Sequence, residues 1–335
     1  MAEISVVVPI YNGEQYLEEA LNSIALQSFK DFEVILVCEY GTSNESLDIV
    51  HKFRKNDKRF KIITNTSKLG ISESLNVGIR KSTGKYIARM DGDDISCQKR
   101  LEIQKLYMDY CSNIGVCGIK HKVINSPRWI VDYHSNPEQI NSDLLFFVPL
   151  KHPTIMIRSD VIYKNNLFYD SSLPGVEDYD YFIRASKVTE LTNINEPDLF
   201  YYRRTSENAS LINEKRDEKI RKSLIKSQFY DRLKLDFSDK TIDILDVVDL
   251  AYQKRIIKNC KIYLNILSEL QKNMEIIMQR NNEMGIYRPE CLINTMEHRW
   301  FRVKYSMDIA SKAKLSDKII DKWRAGDYYN IWMDR

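Results

Sequence analysis

Residues 4–37 read ISVVVPIYNGEQYLEEALNSIALQSFKDFEVILV. Ile4–Val8 is a short apolar run that stops at Pro9, and Glu33–Val37 is a second such run. Between them Tyr16, Leu17, Ala20, Leu21 and Ile24 recur at helical spacing, which predicts a helix over Glu14–Leu26. The alternation then repeats. Ser43–Phe53 reads as helix with Ser43 or Asn44 as N-cap, Lys61–Thr64 as strand, Ser72–Lys81 as helix ended by Gly84, and Tyr86–Met90 as strand. Strands alternating with helices in this way predict an α/β fold, a parallel sheet covered by helices on both faces. Ligands of such sheets collect at the carboxyl ends of the strands, so the informative residues should follow Val8, Val37, Thr64 and Met90.

Outward from this core the alternation loosens. Gln98–Met108 reads as helix, Ile114–Ile119 and Thr154–Ile157 as strands, and Asp178–Ser186 as helix. Between Arg203 and Met284 there is neither Gly nor Pro, and helices are expected to dominate beyond Glu214. Charge shifts along with it. Residues 1–210 carry 25 Lys and Arg against 28 Asp and Glu, while residues 211–335 carry 25 against 19. The expected organisation is an α/β domain over 1–210 and a helical extension over 211–335 packing on it. Tyr252, Ile256, Cys260, Tyr263, Leu267, Leu270, Met274, Ile277 and Met278 form an apolar stripe in that extension. It reads as a packing face, with a dimer seam or a membrane-facing side as the alternatives.

The 335 residues carry a net charge of +3, with 43% hydrophobic and 29% charged residues, which excludes a disordered or low-complexity chain. So balanced a charge argues against a nucleic-acid binder that works by bulk positive charge. The six cysteines contain no C-x-x-C pair and stand at no zinc spacing to a histidine, which points to reduced thiols and a cytoplasmic address. MAEISVVVPI lacks the basic start and long apolar stretch of a signal peptide. The longest apolar run, Leu144–Leu150, is far short of the roughly 20 residues of a bilayer-spanning helix. The expectation is a soluble protein, at most peripheral on a membrane.

The strongest chemical signal is Asp91-Gly92-Asp93-Asp94, at the end of the Tyr86–Met90 strand. Three carboxylates within four residues repel one another, and a hard divalent cation such as Mg²⁺ or Mn²⁺ would offset them and bridge to phosphates. Gly92 leaves room for close backbone approach. An ordinary acidic turn is the plain alternative. The second signal is Gly175-Val176-Glu177-Asp178-Tyr179-Asp180. Its acids could simply complement a helix N-terminus, or one could serve as a general base. Weaker candidates are the loop Pro9–Gly13 with Tyr11, then Glu39 after the second strand, Lys68, Gly70 and Asn76 after the third, and His152 before Pro153.

Taken together, residues 4–37, LGISESLNVGI, GKYIARMDGDDIS, KHPTIMIR and GVEDYDYFIRA resemble the family 2 glycosyltransferases of GT-A fold, over about residues 3–205. The resemblance implies a metal-dependent, inverting transfer of a sugar from a nucleotide-diphospho-sugar to a hydroxyl of a saccharide acceptor. In similar enzymes that acceptor is often polyprenyl-diphosphate-linked, in bacterial capsule or O-antigen synthesis at the inner face of the plasma membrane. Asp93 and Asp91 match the metal-binding D-x-D pair, with Asp91 near ribose or the metal shell. Pro9 and Tyr11 match the first nucleotide loop, with Lys68 and Asn76 also on the donor side. Asp178 matches the catalytic base, Glu177 a residue orienting it or touching the acceptor, and His152 an acceptor-side histidine. Glu39 stands where an aspartate accepts the N3–H of uracil, which points to a uridine or thymidine donor. The tail beyond about residue 215 matches no known pattern; its surplus of Lys and Arg and its Trp300, Trp323 and Trp332 could meet anionic lipid or pack as a helical cap. Two other classes stay open: a nucleotide-sugar binding protein that has lost catalysis, and a nucleotidyltransferase.

Overall fold

The computed structural model describes residues 2–124, 126–131, 133–204, 214–246 and 260–297, with side chains except at 126–131, 197, 214, 215 and 260–267. The first half is the expected alternation: β1 (Ile4–Ile10), α1 (Glu14–Ala25), β2 (Phe32–Cys38), α2 (Asn44–Asn56), β3 (Phe60–Thr64), α3 (Gly70–Lys81) and β4 (Tyr86–Arg89). There follow β5 (Ile95–Ser96), α4 (Arg100–Tyr110), β6 (Ile114–Ile119), β7 (His121–Val123), β8 (Ser126–Val131), α5 (Pro137–Asp143), β9 (Met156–Arg158), α6 (Ser159–Lys164), α7 (Glu177–Ala185), β10 (Glu190–Ile194) and β11 (Phe200–Tyr202).

Seven strands form one sheet in the order β10-β6-β9-β4-β1-β2-β3. The pairs β1–β2, β2–β3, β1–β4 and β6–β10 are parallel, and β9 runs antiparallel to both its neighbours. A smaller sheet, β5-β11-β7-β8, lies beside it in the chain. Because strand side chains alternate, the two faces can be told apart. Ile4, Val6, Val8, Val34 and Leu36 share one buried cluster with Leu17 and Leu21 of α1 and Leu101 and Met108 of α4. Val7 and Val37 point the other way, against α3. There a Cβ on Gly78 would lie 2.4 Å from Val7 Cγ1, so only glycine lets this helix sit so close to the sheet.

Two local expectations need correction. β1 does not stop at Pro9: Pro9 pairs with Val37 and Ile10 with Cys38. The proline is tolerated because its missing N–H faces the β4 side, where pairing has already ended at Val7–Arg89. Thr154 is not strand but closes a 3₁₀ turn over His152–Thr154, and the strand expected from Thr154 begins at Met156. Pro153 cannot donate to a ladder, and the turn re-aims the chain just before β9.

The chain divides into two compact units, Met1–Arg221 and Lys222–Arg335. The boundary expected at residues 210–211 lies outside the described residues, as do Tyr252, Ile256, Trp300, Trp323 and Trp332. Beyond residue 213 the described chain is helical, over Glu214–Leu233, Asp239–Leu245 and Cys260–Met284. Leu270, Met274, Ile277 and Met278 of the apolar stripe are buried. Among the described residues no helix is long and apolar enough to cross a membrane.

Candidate active site

The acidic signal falls where an α/β sheet puts ligands, at the carboxyl end of β4. Carboxylate oxygens of Asp91, Asp93 and Asp94 lie within 4.8 Å of one another. Each is held differently. Asp91 is paired to the buried Arg89, Nη2 to Oδ1 at 2.6 Å and Nη1 to Oδ2 at 2.8 Å. Asp94 is fully buried; its Oδ1 accepts the backbone N–H of Arg203 at 2.8 Å, and its Oδ2 has no partner. Burial, together with the charges of Asp91 and Asp93, pushes the Asp94 carboxyl well above its ordinary value. Burial and Asp91 push Asp93 up to about 6, against the pull of Arg89 and Arg203. Three oxygen ligands, one of them a buried orphan, fit a hard divalent cation.

Arg203 closes the loop from the far side. Its Nε donates to Asp93 O at 2.7 Å, its Nη2 pairs with Glu19 at 2.6 Å, and its guanidinium lies 4.2 Å from the Tyr16 ring centroid. The Asp91–Asp94 loop is thereby clamped onto α1. Gly92 belongs to the same packing: a Cβ there would sit 3.3 Å from Leu17 Cδ1, so the absent side chain makes room for α1.

Asp178 and Glu177 open α7. Asp178 Oδ1 accepts the N–H of Tyr179 at 2.7 Å, and Glu177 Oε2 that of Gly175 at 2.6 Å. Burial raises both carboxyls above their ordinary values. The fields of Lys151 and Arg89 oppose that rise at Asp178, and the same two cations act on Asp91 and Asp94 or are acted on by them. The Asp91–Asp94 loop and the start of α7, 83 or more residues apart in the chain, are thus electrostatic neighbours of one pair of cations.

The remaining candidates divide. Tyr11 and Lys68 come together, the Lys68 ammonium 5.6 Å from the centroid of the exposed Tyr11 ring, and Pro9 leads into that loop. Glu39 departs from expectation. Its buried carboxylate accepts the N–H groups of Gly70 at 2.6 Å, Tyr40 at 2.7 Å and Leu69 at 3.1 Å, and Ser74 Oγ at 3.3 Å. Burial works against its charge, yet the Leu69, Tyr40 and Gly70 donors hold it below the ordinary value. It caps α3 from another element, because Leu69 at the cap position has no side-chain acceptor of its own. In this structure the Glu39 carboxylate is therefore engaged by the loop before α3 rather than open to a base N–H. Asn76 is likewise inward: its Oδ1 accepts Tyr169 N–H and its Nδ2 donates to Tyr169 O, both at 2.9 Å. It braces Tyr169 and offers no free end to a donor.

His152 is buried rather than displayed to an acceptor. Its Nε2 bonds Tyr169 Oη at 2.8 Å, and Tyr169 stacks on Tyr181 of α7 with centroids 4.4 Å apart. Burial, with Arg89 and Lys151 nearby, pushes the pKa of its ring well below the ordinary value. Sequence reasoning passed over Arg89, Lys151 and Arg203. The first two stand inside the motifs GKYIARMDGDDIS and KHPTIMIR, but nothing local marks a basic residue as facing a site.

With this geometry in hand, the chain is a member of glycosyltransferase family 2. Residues 5–170 match Glycosyl transferase family 2. The O-antigen biosynthesis glycosyltransferase WbnJ of Escherichia coli is 31% identical over 194 residues, 57% of this chain and 74% of that one. S. aureus TarS in complex with UDP-GlcNAc superposes with a TM-score of 0.58 at 18% identity, over 93% of this chain and 91% of that one. A mannosyltransferase of Pyrobaculum calidifontis in complex with GDP-Man and Mn²⁺ gives 0.51 at 14% identity, over 91% and 86%. The fold is the GT-A fold that the sequence motifs imply.

Proposed function

We propose that this glycosyltransferase moves a sugar, with inversion, from a nucleotide-diphospho-sugar to a hydroxyl of a saccharide acceptor, in the building of a bacterial surface polysaccharide. The observation that carries this reading is that the turn bearing Lys151 is bonded through Arg100 to Arg89 at the end of β4 and through His152, Tyr169 and Tyr181 to α7, which puts Arg89 and Lys151 in the neighbourhood of both the Asp91–Asp94 loop and Asp178. Leaving-group and base chemistry need to lie on either side of one reacting carbon, and these cations belong to both. The surface-polysaccharide part is supported by the likeness to the O-antigen glycosyltransferase WbnJ; a lipid-linked acceptor and a peripheral position at the inner face of the plasma membrane are added to the proposal from the family resemblance alone.

Asp93, with Asp91 and the unpartnered Oδ2 of Asp94, would hold Mg²⁺ or Mn²⁺, which when bound supplies Lewis-acid neutralisation of the diphosphate. Tyr11 and Lys68 would receive the nucleoside. Asp178 takes the proton of the acceptor hydroxyl as the new oxygen–carbon bond forms at the anomeric centre. The bond from that carbon to the diphosphate oxygen breaks with its electron pair leaving on the diphosphate. One displacement inverts the configuration. A carboxyl raised above its ordinary value suits this task, since a base works best with a pKa near the working pH. UDP-sugar is proposed as donor on the strength of the TarS complex, not of Glu39.

Asp178→Asn tests the reading. Transfer is expected to fall by roughly 10²–10⁴ while donor binding stays. Full activity in the variant removes Asp178 from its role. Asp93→Ala is expected to lose metal-dependent binding of UDP in calorimetry, and unchanged affinity would refute the metal assignment.

A further inference from the structure

We propose that Lys151 is a ligand of the donor's diphosphate, reaching the phosphate that carries the sugar from between the metal loop and the base. The proposal rests on the functional reading above and adds to it a protein cation that neither the motif roles nor the matched relatives assign.

Its position is built. Lys151 caps the 3₁₀ turn His152–Thr154, and its carbonyl accepts both the N–H of Thr154 at 2.9 Å and its hydroxyl at 2.7 Å. The buried Arg100 guanidinium donates to Arg89 O at 2.7 Å and to Pro153 O at 3.2 Å, so this turn is stitched to the strand that ends in the metal loop. Gln104 adds a bond to Thr154 O at 2.9 Å. On the other side His152 reaches α7 through Tyr169 and Tyr181. The turn is therefore the piece of chain that joins the two acidic groups.

The ammonium itself lies 3.6 Å from the centroid of the Tyr202 ring. Tyr202 immediately precedes Arg203, whose N–H is on Asp94, and follows Tyr201, which pairs with Ile95. Asp94, Asp91 and Asp178 all act on Lys151, yet none of them comes within ion-pair distance of it among the described residues. The other basic groups here are committed, Arg89 to Asp91 and Arg203 to Glu19. An ammonium has three N–H donors, and a half-buried one left with only a ring face has lost hydration without a matching anion. A diphosphate lying against the metal loop, its sugar carbon turned towards Asp178, supplies that anion. A monophosphate ends too early to do so.

The test is calorimetric titration of UDP, UMP, GDP and GMP with Mn²⁺ into wild type, Lys151→Met and Lys151→Arg. Met keeps the apolar stem over Tyr202 and removes the charge. A charge-assisted hydrogen bond of about 1.5–3 kcal/mol corresponds to roughly 10–100-fold in affinity. Lys151→Met is expected to lose about that factor for the diphosphate it binds and to leave the matching monophosphate within about two-fold. Lys151→Arg should keep most of the diphosphate affinity. Equal losses for mono- and diphosphate, or no loss, overturn the proposal. If Lys151→Met fails to fold, Lys151→Gln is read in the same way. Failure of the wild type to bind any nucleoside diphosphate would instead overturn the donor reading underneath and, with it, this proposal.

Discussion

Arg89 holds Asp91 by both arms of its guanidinium, at 2.6 and 2.8 Å, at the point where β4 gives way to the acidic loop Asp91–Asp94. The arginine side chain is only 8% exposed, so the pair is set in a place where an unmatched charge is costly. The pairing offsets the charge of the first of three neighbouring carboxylates.

Arg89→Met should therefore cost about 3 kcal/mol, because it leaves Asp91 unpaired beside two further acids. The double variant Arg89→Met/Asp91→Asn should recover at least part of that loss. Urea denaturation of both, with their parent, checks it. Equal stability of single and double variants would mean that the charge pair is not what holds the loop.

Glu39→Gln turns an acceptor that faces the N–H groups of Gly70, Tyr40 and Leu69 into a group carrying its own donors. Losing one such charge-assisted bond costs about 2 kcal/mol, with a lower Tm as the readout. Because Glu39 acts through the loop before α3, any loss of nucleotide affinity should be the same for UDP and GDP. A loss confined to UDP would restore it as a reader of the base.

Glu33 lies at the opposite end of the sheet and sets an acid limit on stability. Burial works against its charge, but Lys61, Ser5 Oγ and the N–H and hydroxyl of Thr83 bring its carboxyl down to about 2, from an ordinary 4.5. A folded value depressed below the unfolded one adds stability that is present above about pH 4.5 and is lost as pH falls towards about 2. The contribution at neutral pH is roughly 3 kcal/mol. Glu33→Gln should be less stable than wild type at pH 7 and lose less on acidification across that window, followed by denaturant melts at successive pH values.

Gly78→Ala sets two effects against each other. Alanine gains about 1 kcal/mol in helix propensity, but its Cβ would meet Val7 Cγ1 at 2.4 Å and Val37 Cγ2 at 3.2 Å. Overpacking of this kind costs about 1–3 kcal/mol and should win, since both contacts are on core strands. A lowered Tm is the expected result, and a raised one would show that α3 can lift from the sheet.

Residues 4–90 show what short-range pattern can carry. Apolar runs, helical stripes and turn residues act within a few positions of one another, so β1 to β4 and α1 to α3 were legible with shifts of a few residues at their ends. Asp91-Gly92-Asp93-Asp94 was legible too, because its place at a strand end follows from the same local alternation. The antiparallel β9, inserted between β4 and β6, was not, since nothing in Met156–Arg158 says which strands it will join.

The chain alone determined the class of fold, the carboxylate cluster Asp91–Asp94 and the acids that open α7, because these depend on periodicity and on which side chains are present. Tertiary structure decided what the individual polar groups do. It turned Glu39 onto the start of α3, Asn76 and His152 onto Tyr169, and Lys151 onto the ring of Tyr202. The physical reason is that hydrogen bonds and ion pairs are satisfied by whichever partner the fold brings within about 3 Å, and those partners stand about 15–95 positions away in the chain.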